Sequence, residues 1–171
     1  MSFIRLKKRS YKTTQNYYAY LVDNKWSRYF PRQKVKSYLG RYYKLPRTVN
    51  NPINISVIKL KNKKEIIYFL LKNELLYHGF IQKNKHLFIY SDEFFVDLKN
   101  YKVINKQTQK KVCLGLNEGY LCNYSLKKLL NFEIKSKNKK KEGYELIKCL
   151  LGVGLKIDSN TFLELFNKII N

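Results

Sequence analysis

Three segments within the first 40 residues show apolar and polar side chains in strict alternation, and this pattern most limits the possible folds. The segments are "SFIRLKK" (2–8), "YYAYLV" (17–22) and "QKVKSYL" (33–39). A period of two indicates a half-buried β-strand, because neighbouring side chains point to opposite faces of a sheet. Polar turns separate the segments. The pattern therefore predicts a three-stranded antiparallel sheet with one face on a core and the other in solvent.

The two faces of this predicted sheet differ in composition. The side chains expected to face the core are all apolar: Ile4, Leu6, Ala19, Leu21, Val35 and Leu39. The side chains expected to face solvent are basic or aromatic: Arg5, Lys7, Tyr18, Tyr20, Lys34, Lys36 and Tyr38. Cations suit phosphate groups and flat rings suit unpaired bases, so the solvent face predicts a nucleic-acid-binding surface.

The distribution of charge along the chain favours the same interpretation. The chain has 35 Lys and Arg against 12 Asp and Glu, a net charge of +23 that a polyanionic partner explains most simply. Residues 1–47 contain 13 of the basic residues and one acid, Asp23. Lysine is spread through the chain, as compositional drift would place it, but every arginine precedes residue 48. Arginine is the residue best suited to bidentate phosphate contact and to stacking.

The predicted binding set joins the solvent face to the loop over residues 25–32 and to the residue after Gly40. Its members are Arg5, Lys7, Tyr18, Tyr20, Trp26, Arg28, Arg32, Lys34, Lys36, Tyr38 and Arg41. The alternative is that the tyrosines only pair across strands and the lysines are only solvated. Trp26 has two interpretations of equal weight, contact with a base or packing over its own sheet. We expect Ala at both Arg32 and Lys34 to weaken binding and flatten its salt dependence.

The sequence predicts a second, α+β domain over residues 48–171. The predicted boundary is at residue 47, where Pro46 and Pro52 flank an irregular loop. The clearest helix covers residues 63–78, with apolar residues at helical spacing and Gly79 in the position of a C-terminal cap. Other predicted strands cover residues 53–60, 86–91, 93–98, 101–105 and 110–116, and predicted C-terminal helices cover 125–132, 144–154 and 158–170. The predicted class is α+β: an N-terminal three-stranded antiparallel sheet, central mixed strands with one long helix, and short C-terminal helices.

The sequence predicts no catalytic residue, no metal site and no cofactor. The possible metal ligands lack CxxC or HxxxH spacing: His78, His86, Cys113, Cys122 and Cys149. The turn with Asp92, Glu93 and Asp97 is the only candidate for the convergent carboxylates of a metal-dependent nuclease. Adjacent acids in a turn more often serve the turn itself.

The cysteines and the length of the apolar segments indicate where in the cell the protein is expected. Three cysteines without framework spacing predict reduced thiols in a cytoplasmic protein. No segment reaches the roughly 18 apolar residues that a membrane-spanning helix requires, so no membrane span is expected.

The stretch "YYAYLV…PRQKVKSYLGR" (17–41) resembles the opening module of many small, largely uncharacterised archaeal proteins. It is also similar to N-terminal hairpins of some transposases, and loosely to the arm-type DNA-binding sheet of integrases. The resemblance implies a β module that faces nucleic acid, and no catalytic residue transfers with it. The chain departs from transposases because it lacks a long downstream domain with spaced acids.

The functional hypothesis is non-catalytic nucleic-acid binding. RNA, with ribosomal RNA as one candidate, is favoured over DNA because stacking tyrosines suit unpaired bases. One alternative is a DNA-binding protein or nucleic-acid-processing enzyme of a mobile element. The other is a protein-interaction module whose basic surface comes from drift, with a protein partner on the C-terminal helices.

Overall fold

The computed structural model describes residues 2–11, 13–26, 30–48, 62–134 and 138–170. They form an α+β fold with a five-stranded mixed sheet, a four-stranded antiparallel sheet and four helices. The elements are β1 (Ser2–Tyr11), β2 (Thr14–Trp26), β3 (Pro31–Lys44), α1 (Lys63–Tyr77), β4 (Ile81–Asn84), β5 (Leu87–Tyr90), β6 (Phe94–Asp97), β7 (Lys102–Asn105), β8 (Val112–Leu116), β9 (Gly119–Leu121), α2 (Asn123–Leu130), α3 (Lys139–Val153) and α4 (Ser159–Ile170).

The five-stranded sheet has the order β1-β2-β3-β8-β9. Strands β1 to β3 form the predicted antiparallel meander, and β3 then pairs in parallel with β8, with Arg41 beside Val112. Gly40 is required at this junction, because its φ is +130° and an added Cβ would lie 2.5 Å from the carbonyl oxygen of Lys111. The pairing of β3 with β8 joins strands on either side of residue 47, and the domain boundary proposed there stays a prediction.

Two bulges interrupt the alternation of β3. The pairing with β2 skips one residue at Lys36 and another at Leu39. Each bulge inserts an unpaired residue, so the side chains before it change face relative to those after it. Val35 therefore lies on the solvent face with 43% of its surface exposed, and its expected place in the core was wrong.

The sheet separates two hydrophobic clusters. The smaller one contains the other five predicted core residues of β1 to β3, together with Tyr42 of β3 and side chains from the β8–β9 region: Ile4, Leu6, Ala19, Leu21, Leu39, Tyr42, Cys113, Tyr120, Cys122 and Tyr124. The larger cluster joins β8 and β9 to the second sheet and to all four helices. Tyr43 of β3 packs against it, with its ring centroid 4.7 Å from that of Phe94.

The second sheet is an antiparallel meander, β4-β5-β6-β7, and three of its strands follow the sequence prediction. Strands β4 and β9 were not predicted. The predicted strand over residues 53–60 lies outside the described residues. Helix α1 begins and ends close to its predicted limits, but one long helix is not confirmed, because α1 and α3 both have 15 residues.

Helix α3 begins at Lys139, five residues before its predicted start at residue 144. The side chain of Asn138 caps that helix by accepting a hydrogen bond from the Lys141 amide, and residues 135–137 lie outside the described part of the chain. None of the helices in the described residues is long and apolar enough to cross a membrane.

Candidate nucleic-acid interface

The pairing of β1 with β2 places cations directly opposite tyrosines. Arg5 lies opposite Tyr20, and Lys7 lies opposite Tyr18. Directly opposed residues share one face of a sheet, so these four side chains form a common surface. We call this surface the aromatic–basic face, and its residues are Arg5, Lys7, Arg9, Tyr18, Tyr20, Tyr38, Arg41 and Lys111.

Three tyrosines form the centre of the aromatic–basic face. The ring centroid of Tyr38 lies 5.4 Å from that of Tyr20 and 6.3 Å from that of Tyr18, with interplanar angles of 50° and 42°. Tyr38 is the most accessible of the three, with 40% of its surface exposed. Burial, with Tyr18 and Tyr20 nearby, raises the pKa of Tyr38. Its phenol therefore stays neutral at physiological pH and does not repel phosphate.

Each of these rings has a cation over it. The Nζ of Lys7 lies 5.3 Å from the Tyr20 centroid, and the guanidinium carbon of Arg9 lies 5.6 Å from the Tyr18 centroid. Arg9 also donates to the Tyr20 hydroxyl at 3.4 Å. The Nζ of Lys111, from the segment before β8, lies 5.8 Å from the Tyr38 centroid. Such contacts are worth roughly 0.5–1 kcal/mol at exposed sites, enough to hold the cations near the rings.

Two arginines of this face bind neutral partners. Arg5 donates a hydrogen bond to the side-chain oxygen of Gln33. Arg41 donates to Asn16 Oδ1 at 2.5 Å, and its guanidinium carbon lies 5.1 Å from the ring centroid of Tyr43. Because these partners carry no charge, the contacts orient the guanidinium groups without neutralising them.

Three of the predicted binding residues lie on the opposite face. Arg32 pairs with Lys25 and Lys34 pairs with Asp23, both on the face that carries Leu21. Lys36 Nζ lies 3.0 Å from Asp23 Oδ2 and donates to Ser2 Oγ at 3.0 Å. The expectation that Lys34 and Lys36 share a face with Tyr38 was therefore wrong, because the bulge at Lys36 reverses the alternation.

Asp23, the only acid of residues 1–47, is thus on the face away from Tyr18, Tyr20 and Tyr38. The hydrogen bond from Lys36 lowers the pKa of Asp23 to about 2, so this carboxylate is ionised throughout the physiological range. Its charge neutralises Lys36 and leaves the aromatic–basic face without a carboxylate from β1 to β3.

The structure brings together six members of the predicted set: Arg5, Lys7, Tyr18, Tyr20, Tyr38 and Arg41. Arg28 and the side chain of Trp26 lie outside the part of the chain that the structure describes. Sequence reasoning missed Arg9, which continues the alternation of β1 two residues beyond Lys7. It also missed Lys111, which reaches the face only because β8 pairs with β3.

The acidic turn does not form a convergent group. Asp92 is paired with Lys106 Nζ at 2.9 Å. Asp97 accepts hydrogen bonds from the backbone amides of Lys99 and Asn100, so it closes its own turn. Within the described ranges, no three His, Cys, Asp or Glu side chains come together as a metal site. Asp92 and Asp97 therefore each serve a separate local contact.

A buried charged network joins the segment after β3 to the rest of the molecule. Glu74 of α1 is 1% exposed, and its Oε1 lies 3.3 Å from Arg47 Nη1 and 3.3 Å from His78 Nε2. The Asn117 side chain donates to the same oxygen at 2.8 Å, and the Lys156 amide donates to Oε2 at 3.2 Å. Four segments of the chain therefore meet at one carboxylate.

His78 completes this network through its second ring nitrogen, which lies 2.9 Å from the carbonyl oxygen of Pro46. The Asn117 amide also donates to the carbonyl of Gly154 at 2.6 Å. Of these residues, the sequence analysis considered only His78, as a possible metal ligand, and no local pattern signalled Arg47 as a partner in this network.

The C-terminal helices expose apolar side chains. Tyr144 of α3 is 69% exposed, and Leu151 of α3 and Leu163 of α4 are about half exposed. These side chains are compatible with a protein contact, but the expected protein partner stays a prediction.

No protein-family model, no curated protein and no solved structure shows a significant match to this chain. The resemblance of residues 17–41 to hairpin modules stays a prediction for the same reason. The functional assignment therefore depends on the geometry of the aromatic–basic face alone.

Proposed function

We propose that this protein binds nucleic acid without catalysis, RNA in preference to DNA, through the aromatic–basic face. One observation carries the proposal: stacking rings and uncompensated cations meet on one face of β1 to β3. The two kinds of side chain correspond to the two parts of a nucleotide strand, the bases and the phosphates.

The cations of this face would contact phosphates. Lys7 and Arg9 lie on β1, while Arg41 and Lys111 lie on the other side of the tyrosines. A strand crossing the rings would therefore meet positive charge on both sides. Each neutralised phosphate releases counterions, which makes the affinity fall with salt by a slope of roughly 0.7 per contact for single strands.

The tyrosines favour unpaired bases. Tyr38 is the most exposed of the three tyrosines and its ring lies near the other two, so a splayed base can stack on it. In a duplex the flat faces of the bases are covered by the neighbouring base pairs. A duplex would therefore contact the cations of this face but could not stack on its tyrosines. RNA is favoured over DNA because RNA loops and ends present unpaired bases.

Fluorescence anisotropy with a labelled single-stranded RNA, at several salt concentrations, tests this proposal. The double variant Lys7→Ala/Arg9→Ala removes two cations from the aromatic–basic face. We expect weaker binding across RNA sequences, and a log–log salt slope that is smaller by about 1.4, from two phosphate contacts. The affinity is also measured for single-stranded DNA of the same sequence and for the RNA duplex. Of the three ligands, we expect single-stranded RNA to bind most tightly.

The double variant Arg32→Ala/Lys34→Ala is the matched control. It removes the same charge from the same sheet but from the opposite face, so we expect nearly wild-type affinity and slope. This reverses the effect that the sequence alone predicted for these two residues. Equal losses in both double variants would mean that net charge, and not this face, governs binding. A wild-type salt slope near zero would rule out phosphate recognition altogether.

A further inference from the structure

Two cysteines lie opposite each other at the open end of the β8–β9 hairpin. The ladder ends where Leu114 pairs with Leu121, and Cys113 and Cys122 are the next residues of the two segments. The backbone of Cys122 is still extended, with φ −150° and ψ 173°, so we infer that it continues opposite Cys113. Both cysteines are reduced and fully buried, and both belong to the smaller hydrophobic cluster behind the aromatic–basic face.

The surroundings of these two thiols differ in how well they stabilise a thiolate. The Cys113 thiol hydrogen-bonds to the Cys122 sulfur, which lowers the pKa of Cys122 and raises that of Cys113. Cys122 is also the N-cap residue of α2, where hydrogen bonds from the backbone amides of Ser125 and Tyr124 further lower its pKa. Hydrogen-bond donors and a helix N-terminus both stabilise a thiolate. Cys122 is therefore the better nucleophile and Cys113 its neighbour.

The backbone spacing fits a bond between them. Opposed residues of adjacent antiparallel strands have Cα atoms roughly 4.5–5.5 Å apart. Disulfide bonds span Cα distances of roughly 4.4–6.8 Å, so the two sulfurs can be joined without moving the strands. We propose that Cys113 and Cys122 form a redox-active pair, which a small-molecule disulfide converts into an intramolecular disulfide bond.

The reaction is a pair of thiol–disulfide exchanges. The Cys122 thiolate attacks one sulfur of the small-molecule disulfide, and the first small thiol leaves. Cys113 then attacks the Cys122 sulfur of the mixed disulfide, and the second small thiol leaves. The two cysteine protons are transferred to the departing thiols. The protein loses two electrons, and the small-molecule disulfide gains them.

A cavity of about 230 Å³ lies next to the smaller hydrophobic cluster. Tyr120 and Tyr124 line this cavity and also pack in that cluster, but neither Cys113 nor Cys122 borders it. The oxidant therefore reaches Cys122 only when these two tyrosine side chains move. Cys149 of α3 borders the same cavity but belongs to the larger cluster. Burial raises the pKa of Cys149, and no second cysteine pairs with it across a ladder. It is therefore the internal control.

The test is incubation of the native full-length protein with oxidised glutathione, followed by acid quenching, denaturation, alkylation and peptide mapping. We expect a linked peptide containing Cys113 and Cys122, with Cys149 as the one alkylated site. The variant Cys149→Ser should give the same linked peptide and no alkylated site. In Cys113→Ser, Cys122 should accumulate as the mixed disulfide with glutathione, because the second exchange has lost its attacking thiol.

Two results would overturn the proposal. One is alkylation of all three wild-type cysteines after incubation with excess oxidised glutathione. The other is glutathione attached to wild-type Cys122 or Cys149 without any link to Cys113. Both results are read from the wild-type protein, so they decide the matter even where Cys113→Ser does not fold.

Discussion

The substitution Glu74→Gln tests whether the buried network around Glu74 stabilises the fold. Both oxygens of Glu74 accept hydrogen bonds, Oε1 from Asn117 and Oε2 from the Lys156 amide. Glutamine has nearly the same shape but must turn an NH₂ group toward one of these donors. It also removes the negative charge beside Arg47 and His78.

The expected loss follows from how deeply the charge is buried. Removing one partner of a buried ion pair costs roughly 3–5 kcal/mol, because the other charge stays in a poorly solvated place. The Arg47 side chain keeps 14% of its surface exposed, so water partly solvates it in the variant and the lower limit applies. We expect a loss of about 3 kcal/mol in the free energy of unfolding. For a chain of this size that lowers Tm by roughly 6–12 °C.

The pH dependence gives an independent check. Burial by itself would raise the pKa of Glu74, but hydrogen bonds from His78, Asn117 and the Lys156 amide, with the charge of Arg47, lower it. A carboxyl whose pKa is lower in the folded state stabilises the fold fully above its unfolded pKa, roughly 4.3 for Glu. The stability difference between wild type and variant should therefore be full at neutral pH. It should shrink as the pH falls below about 4 and through the folded pKa.

The assay is urea unfolding followed by circular dichroism, and the matched control is Glu145→Gln. Glu145 carries the same charge and pairs with Lys148 at 2.8 Å, but both side chains are nearly half exposed. Exposed helical pairs are worth roughly 0.3–0.5 kcal/mol, so the control should unfold almost as the wild type does. Equal losses in the two variants would show that the Glu74 network does not stabilise the fold as argued.

Two further matched pairs test the interface and the packing. Tyr38→Ala should weaken single-stranded RNA binding by roughly 1–3 kcal/mol with an unchanged salt slope, because it removes stacking and no charge. Tyr17→Ala, an equally exposed tyrosine on the opposite face, should leave binding unchanged, and equal losses would refute a stacking role. Gly119→Ala should destabilise the fold by about 1–3 kcal/mol in thermal unfolding, because its Cβ would lie 2.2 Å from the Gly154 nitrogen. Gly152→Ala, with open space around its Cβ inside α3, should be neutral or stabilising, and the reverse order would contradict this packing.

The local elements of this fold follow directly from the sequence. Alternation located β1 to β3 and five of their six core residues, and helical spacing located α1 within one residue of its ends. Both signals come from residues close together in the chain, where backbone geometry alone decides which side chains share a face. The α+β class followed from the same signals.

The composition of the candidate site was less predictable, because it depends on register. Alternation assumes an uninterrupted strand, and the bulge at Lys36 breaks that assumption without any proline or glycine at the position. The contribution of Lys111 depends on the parallel pairing of β3 with β8, which joins residues about 70 positions apart. No local pattern encodes such a pairing, so sequence reasoning placed Lys34 on the interface and left Lys111 out.

The arginines before residue 48 have more than one role in the structure. Arg47 lies in the buried network with Glu74, where it contributes to the fold, and Arg32 lies on the face opposite the tyrosines. The arginines on which the proposed nucleic-acid binding depends are therefore Arg5, Arg9 and Arg41, each held near the tyrosines by an uncharged partner. A count of arginines along the chain cannot separate these roles, whereas variants matched in charge but placed on opposite faces of the same sheet can.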